Sequence, residues 1–259
     1  MAESCPAWTA SRAVVSVHFV HSFPPSRPRP RLRTPRVSYP DTCVVIPVYN
    51  EDQVIAGVVE EVLATFDHVV CVDDGSTDQT MAVLEKTGAT IVRHPTNLGQ
   101  GAALQTGIGY ALTDPRIRSF VTYDADGQHQ VDDAAQMVDL LESGDFDIVF
   151  GSRFLDDRTK VGWLKRGVLK VAVRYTNAST GLKLSDAHNG LRAFDRAVAE
   201  RLDIRMNGMA HASEIVSTVA QAGFRYTEMP VHIVYSEYSM AKGQSLLNSV
   251  NILFDLVFR

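Results

Sequence analysis

Two aspartates one residue apart, Asp124 and Asp126, follow the apolar run Phe120-Val121-Thr122-Tyr123 and precede Gly127-Gln128-His129. Side chains alternate between faces along an extended strand, so both carboxylates point to one spot at its end. Like charges that close repel unless a cation lies between them. Hard divalent ions such as Mg²⁺ or Mn²⁺ take oxygen ligands and often share them with phosphates. A polar turn after a strand would use the same residues, so the pair is weighed with its neighbours.

The elements that must position this pair are legible as apolar runs and helical spacing. Cys43–Val48 reads as a strand, and Asp52–Phe66 has helical spacing. Val69–Val72 is a second strand ending in Asp73-Asp74-Gly75-Ser76. Asp78–Lys86 reads as a helix opened by an N-cap-type cluster. Thr90–Arg93 is a third strand, Gly99–Leu112 a helix rich in small residues, and Ser119–Tyr123 the fourth strand. Asp132–Leu141 is helical, and Phe146–Phe150 is the fifth strand. Further on, Trp163–Ala178 is a basic, partly apolar helix. Leu191–Phe194 and Phe224–Val234 read as strands around a helix near His211–Ala222. Short apolar strands separated by helices predict an α/β fold, a mostly parallel sheet with helices on both faces. Ligands of such sheets bind outside the carboxyl ends of the strands. Tyr49-Asn50-Glu51, Asp73-Asp74-Gly75-Ser76 and Asp124–Gln128 all fall at that edge, which predicts one shared site.

At 259 residues, 45% hydrophobic and 21% charged, the chain has room for a sizeable core. Its net charge of −5 argues against a nucleic-acid partner, which calls for a basic face. Six arginines and one acid, Glu3, lie in residues 1–40, so the remainder is more acidic than the total. The proline, arginine and serine content of residues 22–40 predicts a flexible lead-in, and residues 1–40 are expected to be a disordered tail. The run Ala13–Val20 is followed by prolines and arginines rather than a small-residue cleavage site, which disfavours a secretion signal. Three cysteines, Cys5, Cys43 and Cys71, make no disulfide framework. Cys43 and Cys71 sit in strand-like runs and are expected to be reduced core thiols of a cytoplasmic protein. No stretch approaches the roughly 20 apolar residues of a membrane span. Residues 245–259 read as a terminal amphipathic helix that lies in a membrane interface or packs on its own domain.

Five motifs then occur in order: Val44-Val45-Ile46-Pro47-Val48-Tyr49-Asn50-Glu51, Val72-Asp73-Asp74-Gly75-Ser76-Thr77-Asp78, Asn97-Leu98-Gly99-Gln100-Gly101, Asp124-Ala125-Asp126-Gly127-Gln128-His129 and Gly151-Ser152-Arg153. Together they resemble the family-2 glycosyltransferases of the GT-A (Rossmann-like) fold, over roughly residues 42–250. The likeness is strongest to the branch of polyprenyl-phosphate and dolichyl-phosphate sugar transferases. The resemblance implies a GT-A domain over residues 41–244. It implies that Asp124 and Asp126 hold the metal, that Gln128 adds a ligand oxygen, and that Ala125 lies in the donor site. Pro47, Tyr49 and Glu51 are expected to line the nucleotide pocket. Asp74 is expected to contact base or ribose while Asp73 ties the Gly75-Ser76 turn, with Asp73 the second choice for the ligand. The glycines of Asn97–Gly101 serve either phosphate binding or, as preferred here, tight packing.

Arg153 is expected to meet an acceptor phosphate. A second basic group, Lys165, Arg166, Lys170 and Arg174, is either part of the site, with Arg166 as its catalytic member, or a solvated or lipid-facing helix. In Asp186-Ala187-His188-Asn189-Gly190-Leu191-Arg192, Arg192 pairs with Asp186 or with a phosphate. His129 is as well suited to capping the next turn as to the site. The segment Tyr238–Ser245 resembles a loop closing over the donor, with Lys242 as its cation.

The implied activity is inverting transfer of a sugar from a UDP- or GDP-sugar to polyprenyl phosphate, with peripheral contact at the inner face of the cell membrane. Transfer to a hydroxyl needs a general base. The Thr-Glu-Asp-like motif that supplies one is replaced by Gly208-Met209-Ala210-His211-Ala212-Ser213-Glu214, leaving Glu214 as a reserve candidate. The Gln-x-x-Arg-Trp signature of processive synthases is also missing. A hydroxyl acceptor and a non-catalytic nucleotide-sugar-binding protein are the rival readings.

Overall fold

The structure, a computed structural model, describes residues 38–156, 163–208 and 210–234, with side chains of α5 described at Gly167 and from Leu169 onward. Valine, isoleucine and phenylalanine dominate its central strands, as expected of strands covered on both faces. In chain order these are β1 (Tyr39–Val48), α1 (Ile55–Leu63), β2 (Phe66–Asp73), α2 (Thr80–Leu84), β3 (Thr90–Arg93), α3 (Gln100–Leu112) and β4 (Ser119–Thr122). There follow α4 (Val131–Leu141), β5 (Ile148–Ser152), α5 (Trp163–Thr180), β6 (Arg192–Asp195), α6 (Arg196–Arg201), α7 (His211–Ala222) and β7 (Tyr226–Pro230).

The strands form one sheet in the order β3-β2-β1-β4-β6-β5-β7. All neighbours are parallel except β6, which runs against both β4 and β5. One apolar core lies between the sheet and α1 and α4, with Val44, Ile46, Val59 and Met137 at its centre. The other lies on the opposite face under α3 and α7, with Val45, Phe120, Phe194 and Ile215. The fold class expected from the sequence is therefore the one observed. The antiparallel β6 has a direct consequence: it brings the loop before it, residues 186–191, to the edge where β4 and β5 end.

Several boundaries differ from the sequence reading for local reasons. Phe66, expected to end α1, instead opens β2 and lies against the Tyr39 ring, with centroids 5.0 Å apart. That pairing also places Tyr39 and Pro40, assigned to the tail, in β1. Strand β5 starts at Ile148 because Asp147 is tied to Arg225 ahead of β7. Helix α6 was not foreseen; Asp195 caps it by accepting a bond from the Val198 amide at 2.9 Å. Cys43 and Cys71 are free and buried, and burial pushes both thiols up to about 12, as expected of inert core cysteines. Among the described residues no helix is long and apolar enough to cross a membrane. The predicted tail before residue 38 and the predicted helix 245–259 lie outside the described residues.

Candidate active site

The turns after β1 and β2 are stitched to each other. Asn50 adopts a left-handed backbone, φ 54°, which asparagine tolerates. Its amide donates to the Ser76 hydroxyl at 2.9 Å, and its side-chain oxygen accepts from the Thr77 amide at 2.8 Å. The Glu51 amide donates to Thr80 at 2.7 Å. Pro47 pairs with Val72 in the sheet, and Tyr49 just beyond is exposed. Tyr49, Glu51 and the β2 turn therefore lie together at the carboxyl edge.

The two acids of the β2 turn both hold backbone. Asp74, expected to contact the ligand, accepts from the amides of Leu98 at 2.9 Å and Gly99 at 2.7 Å and from His94 at 2.7 Å. Asp73 ties the turn, as expected, by accepting from the Ser76 amide at 3.1 Å. Its second oxygen has no hydrogen-bond partner and lies 3.3 Å from the Arg93 guanidinium. Asp73 thus presents a buried acceptor atom while Asp74 spends both oxygens inside the fold. The Asn97–Gly101 segment gives two amides to Asp74, and its glycines serve close packing. A Cβ on Gly99 would lie 2.3 Å from the Asn207 carbonyl oxygen, and one on Gly101 would lie 2.1 Å from that of Met206.

The acidic pair lies where β4 ends. Asp124 accepts from Gln100 at 3.1 Å and is bonded to His129 at 2.9 Å. His129, buried edge-on against Tyr123, is fixed further by a bond from the Tyr123 hydroxyl to its carbonyl at 2.7 Å. It therefore holds the Asp124 carboxylate in place. Burial raises the Asp124 carboxyl, but the His129 bond and charge and the Arg192 charge outweigh it, and the net shift is downward. Asp126 goes the other way. Burial and the Asp124 charge push its carboxyl up to about 6, against His129 and a 3.1 Å bond from the Gln128 amide, and Glu51 adds to the rise. Ala125 between them is buried. One carboxylate held ionised beside another that resists ionisation is the electrostatic mark of a site suited to a cation. Among the described residues no three His, Cys, Asp or Glu side chains gather into a complete metal cage. Asp124 and Asp126 are the two carboxylates that could hold an ion of the Mg²⁺ type, whose further oxygens come from phosphate and water. Gln128 stands beside the pair, its backbone carbonyl bonded to the Val234 amide.

Facing the pair is the 186–192 segment. Asp186 grips Arg153 at the end of β5 through bonds of 2.6 and 2.8 Å, and accepts its amide at 3.1 Å. Arg153 is thus at the edge after β5, as the half-buried member of a bidentate pair with the buried Asp186. Arg192 does not pair with Asp186. It is fully buried on β6, within the fields of Asp124 and Asp186, and its Nε lacks a partner. Gly190 lies against Asp124, where a Cβ would come within 2.1 Å of a carboxylate oxygen. Glu228 on β7 supports the loop by accepting from the amides of Ser185 and Asp186 at 2.8 and 3.0 Å. Glu214, the reserve base, accepts the amides of Arg205 and Met206 at 3.0 and 2.9 Å and so braces a loop. Sequence reasoning assigned no role to Gln100, Glu228, His188 and His211; Gln100 and Glu228 carry no local signal because their partners are distant in the chain. Arg166 lies in α5, its side chain outside the described ones, and Lys242 lies outside the described residues.

The model of glycosyl transferase family 2 matches residues 43–203, a span holding every element that meets at this edge from β1 to β6. The chain belongs to glycosyl transferase family 2. It is 32% identical over 222 residues to the uncharacterized protein MJ1222 of Methanocaldococcus jannaschii, covering 83% of this chain and 90% of that one. It is 27% identical to the UDP-N-acetylglucosamine–dolichyl-phosphate N-acetylglucosaminyltransferase of Methanococcus voltae, covering 83% and 94%. Glucosyl-3-phosphoglycerate synthase of Mycobacterium tuberculosis, solved with Mn²⁺, uridine diphosphate and glucosyl-3-phosphoglycerate, superposes with a TM-score of 0.61 over 84% of this chain and 80% of that one, at 17% identity. The sheet is accordingly a GT-A fold, and this family-2 member is a glycosyltransferase of the hexosyltransferase kind.

Proposed function

We propose that the enzyme moves a sugar from a UDP- or GDP-sugar to a polyprenyl phosphate, with inversion and with Mg²⁺ or Mn²⁺ bound, at the cytoplasmic face of the cell membrane. The observation that carries this reading is the pairing of an acidic donor edge, Asp124 and Asp126, with the anchored cation Arg153. An acceptor phosphate is already anionic and needs a positioned cation, not proton removal. The engagement of Glu214 with two amides supports the same choice over a hydroxyl acceptor. The dolichyl phosphate in the name of the Methanococcus voltae relative supports it too.

In this reading Tyr49, Glu51, Pro47 and the second oxygen of Asp73 receive the nucleoside, and Asp74 keeps the adjoining loop in shape. Asp126, Asp124 and Gln128 hold the ion, and Ala125 floors the donor site. When bound, the ion supplies a Lewis acid that stabilises charge growing on the departing diphosphate. His129, Gln100 and Arg192 keep Asp124 ionised and in place. Asp186 fixes the plane of Arg153 so that the acceptor phosphate is aligned for attack from the face opposite the leaving group. Arg166 and Lys242 are the further cations assigned to acceptor and diphosphate.

The test is an assay of the full chain with labelled UDP- and GDP-sugars, polyprenyl phosphate and Mn²⁺. The expected product is a mild-acid-labile glycolipid of inverted anomeric configuration, lost on chelation. Transfer confined to soluble hydroxyl acceptors would reject the reading.

A further inference from the structure

Helix α5 carries Lys165, Arg166, Lys170 and Arg174 and no acidic residue, in a chain whose net charge is −5. It buries Leu169, Ala172, Val173 and Thr176 against the domain. The opposite side, at helical spacing, is Gly167, Lys170, Val171, Arg174, Tyr175 and Ala178, all exposed. Val171 is 54% and Tyr175 51% exposed, the two most exposed large apolar side chains among the described residues. They lie four apart, each next to a cation, and Arg166 holds the preceding place in the same four-residue series as Lys170 and Arg174.

We infer that this face of α5 is a docking surface for an anionic lipid bilayer. Long basic side chains bracketing a tyrosine and a valine suit a helix lying in the interface. The cations reach the headgroups while their stems and the two apolar side chains enter the acyl boundary. An anionic leaflet concentrates basic groups near its surface, and this helix has no acid to oppose that. An acidic protein would be met by the charges but not by the apolar pair between them. A second copy of the same chain would bring the same positive face, and so repel. The helix opens ten residues after Arg153 in the chain, so docking here brings the bilayer to the element that follows the cation assigned to the acceptor. The inference deepens the lipid-acceptor reading and rests on it only for that last consequence.

The full chain is sedimented with vesicles of phosphatidylcholine alone or mixed with an anionic phospholipid. Binding is expected only to the anionic vesicles, with loss as salt is raised. Lys170→Glu with Arg174→Glu should lower the bound fraction about tenfold, and Val171→Ser with Tyr175→Ser should also weaken it. All four side chains are exposed, and unchanged thermal unfolding checks that the variants fold. Absence of wild-type binding, equal binding to neutral vesicles, or binding untouched by the variants would overturn the inference. So would self-association that these substitutions abolish. Transfer to a short, water-soluble polyprenyl phosphate without vesicles should survive Val171→Ser with Tyr175→Ser. If wild-type enzyme fails with that acceptor yet still binds anionic vesicles, the acceptor reading falls and the docking surface stands.

Discussion

Asp126 sets chemistry against stability. Its carboxyl is raised to about 6 by burial and by Asp124, so at neutral pH the ionised group costs the metal-free fold up to about 3 kcal/mol. Asp126→Asn keeps the shape and removes the charge. The metal-free variant should therefore unfold at higher temperature than the wild type, while sugar transfer falls by about 100-fold or more. Calorimetry and the glycolipid assay read the two effects. A stabilised variant with undiminished transfer would remove Asp126 from the reaction. Asp124 is a different case, since Gln100 and His129 occupy its oxygens and Arg192 favours its charge. Its replacement is expected to lower stability and transfer together. The sequence made the two acids look equivalent, because Gln100 and Arg192, which favour the charge and position of Asp124, lie far along the chain.

Among the elements, the loop leading into β6 decides how the two halves of the site face each other. Gly190 lets it touch Asp124, and a methyl group there would overlap the carboxylate. Gly190→Ala should thus displace Asp124 or the loop, lowering stability by about 1–3 kcal/mol and reducing transfer more than an equally destabilising core substitution does. Equal effects on both would make Gly190 a packing residue alone. The turns after β1, β2 and β4 were legible in the sequence, since each is a polar cluster directly after an apolar run. The fold class was legible for the same reason. The direction of β6 was not, because residues that make a strand do not say which way it runs. With it went the Arg153–Asp186 pair, whose members come together only when the loop before an antiparallel strand reaches the end of β5. Likewise, the bonds that tie Asp74 to His94 and to the Leu98 and Gly99 amides join residues 20 to 25 positions away, and no local pattern announces them.

Across the whole molecule, the reversed strand buries a basic tier beneath the acidic edge. Arg192 is pushed down to about 10 by burial, with Asp124 and Asp186 opposing the shift. His188 and His211 are each pushed down to about 4, chiefly by burial. The Arg192 charge adds to both shifts, while Asp186 opposes at His188 and the Gly208 carbonyl opposes at His211. In the unfolded chain both imidazoles titrate near 6.5. As pH falls from 6.5 toward 4, the unfolded chain takes up two protons that the folded one refuses, so acid favours unfolding. Each histidine thereby withdraws up to about 3 kcal/mol across that window. Asp126 acts in the opposite sense: its raised carboxyl takes up a proton first in the folded state, so acidification below about 6 returns up to about 3 kcal/mol. The wild type should therefore lose only part of the histidine contribution on going from pH 7 to pH 4.5. Asp126→Asn should steepen that loss, and His188→Gln with His211→Gln should flatten or reverse it. Urea unfolding at a series of pH values measures all three slopes. Identical slopes in wild type and the histidine variant would mean that the two imidazoles take up protons as readily in the folded protein as in the unfolded chain.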